Sequence, residues 1–367
     1  MRAKAAVVYE HNHPVTIETL TLDEPKKHEV IVRMQATGVC HSDLSVVNGT
    51  IYYDPPVVLG HEGAGIIERV GEGVTYVKPG DHVVLSFVSY CGECRFCQAN
   101  RPCLCEGLSL LPGRLLDNTC RFHNAAGVEI PQMARVGTMA ELIVVPEINL
   151  VKLDPRYSLA NAALVGCGVA TGVGAVINTA QVEAGSSVVV IGAGGVGLNV
   201  VQGAALARAE RILVVDRVAS KLALAQQFGA TDLVDASQQD AVEAIRELTQ
   251  GKGVDYAFEV IGDPLTIQQA YDMVRKAGTV VVVGLTGPDT PLGIPAQSLT
   301  FSEKRIIGSF YGSIVPRIDM PRLLQWHEEG RLKLDELITQ TYGLAQINQA
   351  FADMEAGKNA RGVILFS

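Results

Sequence analysis

Five cysteines fall within fifteen residues of this chain, as Cys91-x2-Cys94-x2-Cys97, then Cys103 and Cys105. Thiolates this close in sequence can close a tetrahedron around one ion, and soft sulfur donors in that geometry favour zinc. Four thiolates leave no open position, so a site made of Cys91, Cys94, Cys97 and Cys105 would be structural. Cys103 is a fifth thiol within reach, and spacing alone does not choose the fourth ligand. Disulfides and a redox pair are the other uses of clustered cysteines. A reducing compartment disfavours the first, and a redox pair does not need four thiols. Three further pieces put a thiol or imidazole close to a glycine, where the chain can turn tightly. They are Gly38-Val-Cys40-His-Ser-Asp43, Gly60-His61-Glu62 and Gly166-Cys167-Gly168. Cys40, His61 and Cys167 would supply two thiolates and an imidazole with a fourth position open, the donor set of a catalytic zinc. Taken singly, such residues are more often buried cysteines and satisfied histidines. Cys120 and the histidines at 11, 13, 28, 82, 123 and 327 take that plainer reading.

A third kind of chemistry sits farther along. The apolar run Ser187–Ile191 leads into Gly192-Ala-Gly194-Gly195-Val196-Gly197 and then a helical stretch to Ala207. Strand, G-x-G-x-x-G and helix in that order suit a dinucleotide pyrophosphate. Gly192 permits the tight turn, Gly194 lets backbone approach the phosphates, and Gly197 allows close helix packing. Alone, the motif is only a turn. Here Asp216 follows nineteen residues after Gly197, at the end of the next apolar run. A carboxylate there accepts both ribose hydroxyls and repels a 2′-phosphate, which favours NAD over NADP. Arg217 beside it is the type of residue that a 2′-phosphate would use.

The elements that must hold these groups divide the chain into zones. Residues 1–167 carry short β-like segments (Glu29–Gln35, Gly65–Val70, His82–Ser86) between turn signals, which predicts an irregular, mainly antiparallel domain. Over 168–312 the texture is regular. Strand-like runs fall at Ser187–Ile191, Arg211–Val215, Asp232–Val234, Val254–Glu259, Thr279–Val283 and Arg305–Gly308. Helical patterns such as Ser220–Phe228 and Ala241–Gln250 separate most of them, and a proline-rich loop precedes the last. This predicts an α/β, doubly wound parallel sheet. Residues 313–367 contain a helix near Met320–Glu329 and a final strand, Gly362–Phe366, that a six-stranded sheet does not need. That strand is assigned to the first domain.

At 367 residues, with 48% apolar and 19% charged residues, the chain is long enough for two domains with sizeable cores. A formal net charge of −9 argues against a nucleic-acid footprint or a polybasic membrane patch. No signal-peptide pattern occupies the first thirty residues. The longest apolar runs, such as Ser187–Ile191 and Val280–Gly284, are too short to span a bilayer. A cytoplasmic protein without membrane or nucleic-acid partners is the expectation.

These motifs closely resemble the zinc-dependent alcohol dehydrogenases of the medium-chain dehydrogenase/reductase superfamily. The resemblance runs from Ala3 to the final strand. It rests on GVCHSD at 38–43, GHEGAG at 60–65, the four-cysteine lobe, GCGVATG at 166–172, GAGGVG at 192–197 and GKNARGVI at 357–364. It implies a GroES-like catalytic domain (1–167 and 313–367) and a Rossmann cofactor domain (168–312). It also implies two zinc ions per chain. Cys40, His61 and Cys167 match the catalytic ligands, with Glu62 able to exchange onto the metal and Asp43 orienting the histidine. Cys91, Cys94, Cys97 and Cys105 match the structural lobe, and Cys103 a position that is not a ligand. Ser42 matches the hydroxyl that bonds the alcohol. His41 and Arg361 match cationic pyrophosphate contacts, Asp216 and Lys221 adenosine-ribose contacts, and Thr171 packs on the nicotinamide. Val260, Val283, Leu285 and Ser309 are further implied cofactor positions. Phe87, Leu110, Leu285 and Phe310 fall near positions that line the alcohol pocket.

The implied activity is interconversion of primary, apolar or aryl alcohols and aldehydes by hydride transfer from a zinc-bound alkoxide to NAD. One departure matters. The relay histidine often found three residues after the Ser42 position is Ser45 here, so the proton leaves through water or His41. Glutathione- or thiol-dependent formaldehyde dehydrogenase ranks second, because Asn48–Pro56 lacks the acidic pair of that branch. The zinc-free quinone or enoyl reductase branch lacks both cysteine sets. A dinucleotide-binding redox sensor without turnover is the reading from another class. The stretch Glu106–Gly137 matches the longer loop of many dimeric members, which implies a homodimer.

Overall fold

A computed structural model describes residues 1–366 and contains three sheets.

 Ten strands are expected from the sequence. All ten strands fall in the sheets. The chain divides into two units, Met1–Gly168 with the chain from Val315 onward, and Val169–Ile314.

In the first unit, the eleven-residue strand Glu29–Val39 is buried along nearly its whole length. It is the hub of a seven-stranded sheet ordered Leu150–Leu153, His82–Leu85, Gly63–Val70, Glu29–Val39, Arg361–Leu365 and Ile338–Tyr342, with Leu142–Pro146 also paired to the hub. Two registers matter for function. Gly63 lies opposite Thr37 on the antiparallel neighbour, and Gly362 lies opposite Val39 on the other side. Cys40, His61 and Arg361 each sit within two residues of one of these paired positions. The final strand therefore belongs to the first unit's sheet, beside Glu29–Val39. A second, five-stranded sheet packs Arg2–Val8 and Thr16–Leu22 with three two-residue strands.

The second unit is a six-stranded parallel sheet ordered Asp232–Asp235, Arg211–Asp216, Ser187–Ile191, Val254–Glu259, Val274–Val282 and Arg305–Gly308. Its core strands are continuous apolar runs because helices cover them. Strand order reverses direction between Ser187–Ile191 and Val254–Glu259, the switch point at which open α/β sheets bind ligands. Two expectations need correction. A helix, Ala296–Ser302, stands where a proline-rich loop was expected before the last strand, because Pro295 occupies its N-cap, where a missing N–H costs nothing. The helix expected near Met320 begins earlier, at Pro316, a favoured first helical residue. One further difference concerns the apolar segments. The helical segment Leu159–Ala180 is 22 residues long and apolar enough to cross a membrane, and 83% of its apolar window is buried within the protein. Glycine, asparagine and threonine interrupt its apolar residues, so it shows no long unbroken run.

The excursion around residues 114–132 is fastened by one ion pair. Arg121 is wholly buried and reaches Glu29 with two nitrogens, at 2.9 and 2.5 Å, while its second arm also meets Asp117 at 2.9 Å. Removing one partner of such a pair leaves a buried charge uncompensated, at a cost of about 3–5 kcal/mol. Arg121→Met is therefore expected to lower the free energy of unfolding by about that amount, and the double variant with Glu29→Leu to recover much of it. Denaturant unfolding of the three proteins checks this; equal losses in the single and double variants would contradict it.

Candidate active site

Register brings together what sequence distance separates. The ligand atoms of Cys40, His61, Glu62 and Cys167 all lie within 4.8 Å of one another, and all four residues are buried. Cys40 leaves the hub strand and caps the helix His41–Val47. His61 and Glu62 precede the paired strand. Cys167 comes from a π-helical turn, Val165–Val169, in the long apolar helix, a local widening often found at functional sites. Asp43 is fully buried and does two jobs. Its Oδ1 lies 2.9 Å from His61 Nδ1, and its Oδ2 accepts the Cys40 N–H at 3.0 Å. With Nδ1 held as the donor, Nε2 is free to bind a metal.

Glu62 is fully buried, with one oxygen paired to Arg361 and the other, Oε1, without a hydrogen-bond partner and 3.9 Å from His61 Nε2. Burial pushes its carboxyl up, against the opposing pull of Arg361. The neighbouring glycines are required by this pair. A Cβ on Gly38 would overlap Glu62 Oε2, and one on Gly168 would lie 2.6 Å from Arg361 Nη1. Between the thiols, a hydrogen bond from Cys167 holds Cys40 well below its usual value despite burial, and the same bond with burial holds Cys167 well above. Burial opposes the charged form of His61, but the Asp43 carboxylate overrides it and the imidazole is raised well above its usual range. The shifts of Cys167 and His61 favour protons that a metal would have to displace on binding. Ser42 Oγ is 3.8 Å from Cys40 Sγ, and the Phe87 ring meets His61 edge-on with centroids 5.6 Å apart. His41 is exposed at the start of its helix. Arg361, expected at the cofactor pyrophosphate, is 5% exposed and ion-paired to Glu62.

The second cluster is Cys91, Cys94, Cys97 and Cys105, again within 4.8 Å of one another; Cys103 is buried and is not in the set. Sulfur separations of 3.6 Å (Cys94 to Cys97) and 3.9 Å (Cys91 to Cys97, Cys94 to Cys105) match the edge of about 3.8 Å expected for a tetrahedron with Zn–S near 2.3 Å. Backbone N–H groups of Glu93 and Cys94 point at Cys91 Sγ, at 3.4 and 3.2 Å. N–H donors from Cys97 and Glu106 bring the Cys94 thiol down to about 6, while burial pushes Cys97 up to about 12.

In the second unit, Gly192 has φ of +105° and a Cβ there would lie 2.9 Å from Ile261 Cγ1. A Cβ on Gly197 would overlap the Gly192 carbonyl oxygen, whereas nothing lies within 4 Å of one on Gly194. That open space at the N-cap of the helix Gly195–Leu206 is a cradle of the kind phosphates occupy. Val196 lies in the first turn of that helix. Asp216 ends its strand and accepts the Ala193 N–H at 2.7 Å and the Val218 N–H at 2.9 Å. Lys221 is half-buried on the next helix. Thr171, Val260 and Val283 are half-buried, and Ser309 is buried with its hydroxyl 2.9 Å from Thr179. Of the residues expected to line the alcohol pocket, Phe87 and the half-buried Leu110 are in the first unit. Leu285 and Phe310, 61% and 46% exposed, are in the second.

Residues 26–155 match the family described as alcohol dehydrogenase GroES-like domain, and residues 195–329 that described as zinc-binding dehydrogenase. The chain belongs to the zinc-dependent alcohol dehydrogenases of the medium-chain superfamily. It is 42% identical to an NDMA-dependent alcohol dehydrogenase of Amycolatopsis methanolica, over 100% of both chains. It is 39% identical to the S-(hydroxymethyl)glutathione dehydrogenase of Saccharomyces cerevisiae, over 98% of this chain and 95% of that one. Among solved structures, the benzyl alcohol dehydrogenase of Acinetobacter calcoaceticus superposes with a TM-score of 0.92 at 33% identity, over 100% of both chains.

Sequence reasoning missed two supporting groups. Thr37 Oγ1 donates to the Glu62 carbonyl at 2.9 Å and lies 2.8 Å from Thr138 Oγ1, beneath the ligand strand. Glu259, fully buried, accepts from the Ile261 and Gly262 N–H groups and the Thr266 hydroxyl, shaping the turn that packs on Gly192. An acid ending an apolar strand was the available signal for Glu259; Thr37 carried none. Asp43→Asn is expected to lower zinc affinity at the Cys40 centre about 10–100-fold while sparing the four-cysteine lobe. Chelator competition with metal analysis checks this, and equal losses at both centres would contradict it.

Proposed function

We propose that this chain is an NAD-dependent alcohol dehydrogenase with two zinc ions, one catalytic and one structural, that interconverts primary, apolar or aryl alcohols and their aldehydes. The observation that carries the reading is the buried donor set of Cys40, His61 and Cys167, with an unpartnered Glu62 oxygen facing it. Bound there, zinc would act as a Lewis acid that lowers the pKa of an alcohol hydroxyl.

The chain's own residues supply the rest. Asp43 fixes the tautomer of His61 and so the direction of its free nitrogen. Ser42 places a hydroxyl beside Cys40, where it can take the proton of an alcohol and pass it on. Ser45 offers no imidazole to continue that path, so the proton leaves through water or His41. Phe87 gives the site an apolar wall that excludes water from one side of His61. Arg361 neutralises one Glu62 oxygen, which keeps the other available. In the second unit, the Gly194 cradle suits a pyrophosphate and the Asp216 carboxylate suits ribose hydroxyls rather than a 2′-phosphate, the basis for preferring NAD.

Apolar side chains at Leu292, Leu299 and Phe301 are exposed just before the edge strand Arg305–Gly308, which supports a homodimer. A cytoplasmic location is part of the same reading, on the abundance of free thiols. The second reading, oxidation of a glutathione or other thiol adduct of formaldehyde, is favoured by the similarity to S-(hydroxymethyl)glutathione dehydrogenases.

Nicotinamide absorbance, followed with NAD and with NADP over ethanol, hexanol, benzyl and cinnamyl alcohols and formaldehyde with glutathione, tests the proposal. Expected is turnover of the apolar primary alcohols with NAD, lost on chelation. Turnover confined to formaldehyde with glutathione would select the second reading, and no turnover by zinc-loaded protein would overturn both.

A further inference from the structure

One buried acid of the second unit carries an oxygen that the fold leaves unsatisfied. Glu259 ends the strand Val254–Glu259 and lies in register with Ile191, the residue before Gly192, across the switch point of the sheet. It is fully buried, and its two carboxylate oxygens are used unequally. Oε1 accepts the Ile261 N–H at 2.9 Å, the Gly262 N–H at 2.8 Å and the Thr266 hydroxyl at 2.8 Å. Oε2 is buried without a hydrogen-bond partner. Taking such an oxygen out of water costs stability, and packing alone does not explain its retention, because an apolar side chain would fill the space without that cost. The use of this acid lies in the three donors collected on Oε1.

Three loops at the carboxyl ends of parallel strands meet on this residue. The turn that Oε1 holds packs against the glycine loop: Ile261 Cγ1 lies 2.9 Å, and Val260 Cγ2 3.1 Å, from where a Cβ on Gly192 would stand. The Glu259 carbonyl accepts the Val283 and Gly284 N–H groups at 2.8 and 3.1 Å, which fixes the start of the next loop. That loop touches the turn backbone to backbone. A Cβ on Gly284 would overlap the Gly262 nitrogen, and one on Gly262 the Leu285 carbonyl oxygen. Gly262 has φ of +87°, a shape open to glycine, and its N–H bond to Oε1 holds it there. Thr266 ties in the first turn of the helix Pro264–Met273. Without the carboxylate, the Ile261 and Gly262 N–H groups lose their acceptor, and the turn is free to shift against either neighbour. Open α/β sheets take their ligands in the crevice outside the carboxyl ends at the switch point, so these loops shape its floor.

We infer that Glu259 is a positioning residue for the dinucleotide, holding the glycine loop and the loop that begins at Val283 at one fixed spacing. The inference rests on the NAD reading for its ligand and on the Oε1 contacts for its effect. Calorimetric titration of NAD into wild type, Glu259→Gln, Glu259→Leu and Thr266→Val tests it, beside KM for NAD and kcat with benzyl alcohol. Calorimetry separates the two roles an acid of this kind can have, since misfolded material lowers the binding stoichiometry and leaves the affinity of the folded fraction unchanged. Expected in Glu259→Leu is a Kd for NAD raised about tenfold or more, the scale of one hydrogen bond to a charged group. KM for NAD should rise with it while kcat at saturating NAD changes little, the pattern of lost uniform binding. Glu259→Gln keeps an acceptor oxygen and should retain most of the affinity. Thr266→Val removes one donor and should weaken binding by less than Glu259→Leu. A wild-type Kd in Glu259→Leu, or in Thr266→Val should Glu259→Leu not fold, overturns the inference alone, as does an equal loss in Glu259→Gln and Glu259→Leu. Binding of neither NAD nor NADP by the wild-type protein would overturn the cofactor reading and the inference with it.

Discussion

Buried negative charge is the constraint on which the first unit's site depends. Cys40, Asp43, His61, Glu62, Cys167 and Arg361 are each no more than 9% exposed. With both thiols ionised and both carboxylates charged, Arg361 alone cannot balance them. A cluster with that excess in a low-dielectric interior must hold protons or a cation. The thiol pair and imidazole show the first solution, each displaced from its usual titration range by its neighbours. A dication supplies the second, and the donor types and their spacing suit zinc.

The sheet exists in the form that this cluster requires. Glu29–Val39 is paired on both sides, so Cys40, His61 and Arg361 are delivered to one place by hydrogen-bond register rather than by flexible loops. A slip of one residue in either pairing would turn alternate side chains to the opposite face and scatter the donors. Glycine at 38 and 168 then admits the Glu62–Arg361 pair. The four-cysteine lobe follows another logic: its ligands are local, and backbone N–H groups aimed at the sulfurs favour thiolates without help from the sheet.

That difference explains what could be read in advance. The lobe and the glycine loop are local patterns, and the six parallel strands are apolar runs bounded by turns, so residue types and short spacings expose them. The meeting of Cys40, His61 and Cys167 is a product of register and of a π-helical turn, which spacing does not encode; family resemblance supplied it. Pairing of Arg361 with Glu62, across 299 positions, was equally hidden. Proline misled at 296–302 because it can start a helix as well as prevent one. The long helix Leu159–Ala180 escaped notice because its small and polar residues break the apolar pattern while its packing buries them.

Zinc K-edge absorption spectroscopy on the wild-type protein, beside a variant with Cys94 and Cys97 both changed to serine, tests the central claim most directly. The account predicts two zinc ions per wild-type chain with a mixed sulfur and nitrogen or oxygen average. In the variant it predicts one remaining zinc with two sulfur ligands and at least one imidazole. A remaining ion with no sulfur ligands, or no retained zinc in a folded variant, would contradict it.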